Sequence, residues 1–124
     1  MFIVDELTGD ITLRQGDNGV YTLLKVEVNY VFTPYLAVST QERIQVGEPI
    51  IGTVNQDGSV DFIFKPSFTD LLVVDKNEED ATYYFAIKIK QGINENEDTL
   101  VIGNKTIYET NTITVLPKLV EEGV

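Results

Sequence analysis

The chain contains no cysteine, no histidine and no tryptophan. Without cysteine there are no disulfides, no thiolate ligands and no thiol nucleophile. Without histidine there is no imidazole metal site, no Ser-His-Asp or Cys-His pair and no imidazole acid/base chemistry. Most reaction mechanisms recognisable in a sequence go with these residues. The chain therefore reads as non-enzymatic, with no catalytic residue, no cofactor, no metal ligand and no small-molecule substrate. Cations are also scarce: 9 Lys and Arg stand against 20 Asp and Glu, for a net charge of -11. Such a field repels phosphate backbones and excludes nucleic acid as a partner. Long apolar runs are missing as well. The longest are "LLVV" (71–74) and "YYFAI" (83–87), against about 20 residues for a membrane span, so no membrane is expected. The start, "MFIVDELTGD", has no basic n-region, and Asp5 and Glu6 cut its apolar stretch short, so no signal peptide is expected.

What is present is alternation. At 124 residues the chain is expected to form one domain, 1–124, long enough to bury a core without staples. Both halves are acidic, and there is no linker, repeat or low-complexity tract. Period-two patterning marks strands with one buried face. In "VYTLLKVEVNYVF" (20–32), Leu24, Val26, Val28, Tyr30 and Phe32 oppose Lys25, Glu27 and Asn29. In "GSVDFIFKP" (58–66) the inward set is Val60, Phe62 and Phe64, opened by the Asp57-Gly58 hairpin signal, with "IIGTV" (50–54) as antiparallel partner. In "TYYFAIKIKQ" (82–91), Tyr83, Phe85, Ile87 and Ile89 share a face, and the acidic turn "QGINENED" (91–98) leads into a partner strand "TLVIGN" (99–104). Shorter strands are expected at 10–15, 42–46 and 111–117, the last ended by Pro117. Leu24, Val26, Val28, Phe62, Phe64, Phe85 and Ile87 are the expected shared core. Helix is limited to one turn near "SFTDLLVVDKN" (67–77), with Ser67 or Thr69 as its cap. The expectation is an all-β fold: an antiparallel β-sandwich of about seven to nine strands, with a small closed barrel as alternative.

Each candidate site has a plainer reading. The run "DKNEED" (75–80) carries carboxylates for a calcium loop, but an EF-hand needs Gly at its sixth position and Glu at its twelfth, where Asp80 and Ala86 stand. It reads as a solvated loop, as does "NENED" (94–98). Paired carboxylates suffice for glycoside hydrolysis, yet nothing selects a pair. "GNKT" (103–106) lacks the first Gly of a phosphate-binding loop, since Asp98 occupies that position, and reads as a turn. "QGDNG" (15–19) reads as a connection rather than an anion cradle. Tyr30, Phe32, Pro34 and Tyr35 depart from the tidy alternation and form a candidate protein interface. The tail "KLVEEGV" (118–124) is a second candidate for docking on a neighbouring subunit.

"DELTGDITLRQGDNGVYTLLKV" (5–26) and "YYFAIKIKQGINENEDTLVIGNKTIYETNTITVLP" (83–117) together resemble small structural proteins of tailed phages and prophages of Gram-positive bacteria. The likeness is to the N-terminal domain of upper baseplate proteins. Those chains similarly open with a strand, a "QGD" turn and a second strand, and close with a Tyr-rich strand, a turn and a final strand. The middle, from Asn29 to about Asp80, departs from that pattern apart from "VDFIF" (60–64). The resemblance implies an Ig-like sandwich that performs no chemistry and is a virion component assembled in the host bacterial cytoplasm. Its implied partners are other virion proteins or further copies of itself. The alternative from another class is a carbohydrate- or cell-surface-binding module, which would use exposed Tyr side chains and carboxylates on a sandwich face or in its loops, and which a cluster of accessible Tyr in a groove would favour.

Overall fold

A computed structural model describes residues 1–92 and 96–119. Residues 93–95 of the acidic turn and 120–124 of the tail, both discussed above, lie outside the described residues. In chain order the elements are β1 (Phe2–Val4), β2 (Ile11–Arg14), β3 (Gly19–Leu23), β4 (Phe32–Ser39), β5 (Ile50–Ile51), β6 (Thr53–Val54), β7 (Val60–Phe64), α1 (Pro66–Thr69), β8 (Ala81–Gln91), β9 (Glu97–Thr99) and β10 (Asn111–Leu116). Strand makes up 43% and helix 3%, the balance expected from period-two patterning.

The strands form two sheets. The larger runs β1-β2-β10-β8-β4-β5, with β9 also on β8, and it curls into a half-barrel; the smaller runs β3-β7-β6. Two expectations are corrected here. The ladder is not wholly antiparallel, because β10 lies parallel to β2, with Ile113 opposite Ile11. The described residues also hold ten strands rather than seven to nine. One of the additional strands is β1, hidden in the short "FIV". Another arises because Gly52 divides 50–54 between the sheets: Ile51 pairs with Tyr35 in the larger, and Thr53 pairs with Asp61 in the smaller. A Cβ at Gly52 would stand 2.7 Å from Val60 Cγ1 and 2.8 Å from Phe62 Cε1, so the crossing chain lies hard against the core. At the opposite border Phe2 covers Gly19, and its ring lies 5.2 Å from that of Phe64. The two sheets thus meet along both borders around one core.

That core joins Ile11, Leu13, Leu36, Val38, Ile87, Ile113 and Val115 of the larger sheet to Tyr21, Val60, Phe62 and Phe64 of the smaller. Phe62, Phe64, Phe85 and Ile87 are buried as expected. Leu24 is not: it is 82% exposed, and Val26 and Val28 are half-buried. The expected strand over 20–32 stops at Leu23 and resumes only at Phe32. A strand extends only as far as its partner, and β7 begins at Val60, opposite Leu23. Residues 33–39 instead continue as β4 along β8, despite Pro34. The Pro34 carbonyl accepts from Gly52 N–H at 2.9 Å, so its missing N–H also faces the β5 side, just past the end of that short strand.

Residues 42–46 are a loop touching β4 through a single bridge, Gln45 to Ser39, and Arg43 there adopts φ +67°. The β8 partner is β9 at 97–99, not 99–104. The helical turn starts from Lys65 with Pro66 in the first turn and no side-chain cap, which corrects the Ser67 or Thr69 assignment. Thr69 is buried and donates its hydroxyl to the Asp17 carbonyl at 2.7 Å.

Candidate interaction surface

The four residues singled out between 30 and 35 divide. Pro34 is buried, and Phe32 packs against the core from the start of β4. Tyr30 and Tyr35 reach the surface at the β9 end of the larger sheet. There the Tyr30 hydroxyl lies 3.4 Å from Asp98 Oδ2, and Tyr35 hydrogen-bonds the Glu97 carboxylate. Burial, then the hydrogen bond and charge of Glu97, push the Tyr35 phenol up to about 12. Lys88, opposite Tyr35 on β8, lies 3.8 Å from Glu97. This end is a network of tyrosines, acids and a lysine rather than an apolar patch.

The sequence "GNKT" is a turn, and it builds a second feature. Asp10, just before β2, accepts from the backbone N–H of Thr112 at 3.0 Å, from Asn111 Nδ2 at 3.2 Å and from Lys105 Nζ at 3.0 Å. Burial alone would raise the Asp10 carboxyl, but these donors outweigh it and hold it below its ordinary value. Asn111 Nδ2 also donates to Thr8 O at 2.9 Å, and Asn104 N–H donates to Leu7 O at 2.8 Å. Gly103, at φ +64°, fits against the Thr8 backbone, where a Cβ would come within 2.4 Å. Tyr21 lies beside this knot. Its hydroxyl donates to Gly9 O at 3.1 Å, and burial together with the Asp10 charge pushes it up to about 12. The base of the 103–110 loop is therefore fixed from four sides. At its tip Glu109 accepts from Thr106 N–H at 3.0 Å and donates its own N–H to Thr106 O at 3.1 Å. Ile107 and Tyr108, held in this closed turn, are 76% and 91% exposed.

A third feature is the outer face of the smaller sheet. Val20 and Ile63 are directly opposite across β3 and β7, and each is 51% exposed. Ile50, Ile51, Ile63 and Phe68 line a groove of about 320 Å³ beside them, with Lys65 and Ser67 at its rim. No carboxylate lines it.

A cleft of about 800 Å³ lies where β2 meets α1 and residue 118. Its charges are matched in place. Met1 N pairs with Asp17 and Lys118 with Asp70, while Arg14 Nη1 donates to Pro117 O at 2.7 Å and Gln15 Nε2 to Asp70 O at 2.9 Å. This cleft ties "QGDNG" and α1 to the end of β10. No group of three or more His, Cys, Asp or Glu able to hold a metal ion occurs among the described residues. No helix among them is long and apolar enough to cross a membrane.

The outward apolar residues were visible in part, as exceptions. Ile63 is apolar on the parity that alternation assigns to solvent, and that mismatch was the available signal; Val20 shares the parity of the expected inward set and turns outward because its neighbour Tyr21 is the one buried. Ile107 and Tyr108 interrupt a polar turn-rich stretch, "GNKTIYETN", in the same way. No protein-family model and no curated protein matches the chain.

Proposed function

We propose that the chain is a non-enzymatic structural or assembly domain that acts through protein-protein contacts, of the kind implied by its resemblance to tailed-phage baseplate proteins. The observation that carries this reading is the exposed apolar face where Val20 and Ile63 of the smaller sheet, Ile51 of the larger, and the groove beside them stand open. Contiguous exposed apolar side chains at one place on a small domain mark an interaction site. Two sheets facing across one core support the finer reading of an Ig-like sandwich, in a partly closed variant with its first and last long strands parallel. Other virion proteins or further copies of the chain are the partners, and a virion assembled in a bacterial cytoplasm is the setting.

Tyr30 and Tyr35 beside Asp98 and Glu97 are the grouping that a saccharide-binding module would use, but other tyrosines are committed elsewhere. Here Tyr21 and Tyr83 donate to backbone carbonyls, at 3.1 and 2.7 Å, and the Tyr84 ring lies under the Arg43 guanidinium at 5.5 Å. Sedimentation velocity at low and high salt tests the assembly reading. Association is expected to strengthen with salt, because a charge of -11 repels its own copies until it is screened. Ile63→Lys is expected to weaken it. A strict monomer at both salt levels, together with a melting shift on adding a saccharide, would overturn the reading.

A further inference from the structure

Resting on that assembly reading, we propose that the Ile107-Tyr108 tip of one copy inserts into the groove between Ile51, Ile63 and Phe68 of a second copy, in a head-to-tail contact. The tip is apolar, exposed and fixed at its base, so little conformational freedom is lost when it is covered. The groove is apolar and, at about 320 Å³, sized for a side-chain anchor rather than for a whole element.

Charge selects the pairing. Glu109 follows the tip, and Lys65 borders a groove that no carboxylate lines, in a chain where acids outnumber bases 20 to 9. Among the described residues neither Glu109 nor Lys65 forms a salt bridge. A symmetric groove-to-groove contact would set Lys65 against Lys65, and a tip-to-tip contact would set Glu109 against Glu109. Only tip-to-groove pairing opposes unlike charges.

Topology keeps the two parts from meeting within one copy. Strand β2 runs from Ile11, next to Asp10, which holds the base of the tip loop through Lys105, to Arg14; the chain then reverses, and β3 starts with Gly19 opposite Phe64, next to Ile63 and Lys65. Tip and groove therefore lie at opposite ends of β2. Each added copy presents the same free tip and free groove, so growth ends in a ring if the rotation closes and in a chain if it does not.

Sedimentation velocity of the full chain over a hundredfold concentration range tests this, with a tip variant (Ile107→Asp with Tyr108→Asp) and a groove variant (Ile63→Glu). The wild type is expected to grow beyond the dimer. Each variant alone is expected to stay monomeric at ten times the concentration at which the wild type associates, and their equimolar mixture to stop at a dimer. Because Ile63 lies in a strand, a charge swap at two exposed positions gives an independent check. Lys65→Glu and Glu109→Lys should each weaken association, and the two together should restore it. A wild type that stops at a dimer which survives the tip and groove substitutions, or a tip variant that associates like the wild type, would overturn the tip-to-groove contact and leave the assembly reading standing. A wild type that is monomeric throughout and gains a melting shift from a saccharide would overturn both.

Discussion

Residues 24–31 and strand β8 carry the same kind of pattern and end in different structures. In both, apolar and polar residues alternate over a long stretch. Yet β8 is an eleven-residue strand at the centre of the larger sheet, and 24–31 is a connection. The difference lies in the neighbours. Strand β8 has β4 along Tyr84 to Gln91 on one side, with β10 and β9 sharing the other. Residues 24–31 lie past the end of β7 with no strand beside them, held at Val26, whose N–H donates to Gly58 O of the hairpin turn at 3.2 Å, and at Tyr30, whose hydroxyl meets Asp98. Alternation supplies a face to bury, and a strand forms where another strand offers a ladder and a core on that side.

The sharpest way to break the comparison is to truncate a ring where alternation was realised. Phe62 and Phe64 are fully buried between the sheets, and Phe64 also packs edge-on against Phe68 at 5.8 Å between centroids. Phe64→Ala is expected to cost about 3 to 5 kcal/mol in urea unfolding, a large part of the roughly 5 to 15 kcal/mol that such a domain holds. A loss below about 1 kcal/mol would mean that the β7 register is wrong by one residue.

Next in size is the point where one chain segment serves both sheets. Gly52→Ala would place a Cβ within 2.8 Å of both Val60 and Phe62, two residues that have no room to retreat. The expected cost is about 1 to 3 kcal/mol, read from the same denaturant curves. A neutral result would show that the crossing between the sheets is looser than the packing at Gly52 implies.

The Asp10 knot predicts a pH dependence of known sign. Its folded carboxyl lies below the ordinary value of 3.8, so its stabilising contribution is present above that value and lost as pH falls through the folded one. Asp10→Asn is expected to cost about 1.5 kcal/mol at neutral pH, with the gap to wild type closing in acid. Tyr21 acts at the other limit. Its phenol, raised from 10.0 to about 12, makes stability decline as pH rises from the first value toward the second, and Tyr21→Phe should flatten that limb. Thermal melts across pH read both, and a gap for Asp10→Asn that widens in acid would contradict the assigned donors.

How much of this was legible depends on what each residue needs. Strands β2, β7, β8 and β10, and the Asp57-Gly58 turn, could be read because local pattern and turn chemistry agree with the fold there. Gly58 indeed adopts φ +87° and donates its N–H to Asn55 O at 3.0 Å. Strand β4 was obscured by Pro34, whose tolerance depends on where the two-residue β5 stops. The parallel β2–β10 pair joins residues about a hundred positions apart, and no local pattern encodes it. The candidate surface was legible only as broken parity at Ile63, since Val20 lies on the parity expected to face the core. Its companion, the tip at Ile107 and Tyr108, depends on Asp10, Thr8 and Leu7 holding the loop from across the chain.

The contrast between residues 24–31 and β8 is tested most directly at Leu24. Leu24 opens the inward set of the most regular alternating run, and if that run were a core-facing strand, a charge there would be ruinous. Its side chain is exposed and makes no part of the core cluster, and the nearby Lys25–Glu27 pair, at 3.1 Å, is itself solvent-exposed. Leu24→Lys is therefore expected to change stability by no more than about 0.5 kcal/mol in either direction. Val26→Lys, two positions on, should cost more, because Val26 is half-buried against the core and its N–H is tied to Gly58. Equal costs at the two positions would restore the strand that the alternation implies. A tolerated Leu24→Lys beside a costly Val26→Lys would show that the start of the run is anchored at Val26, by the hairpin turn beneath it.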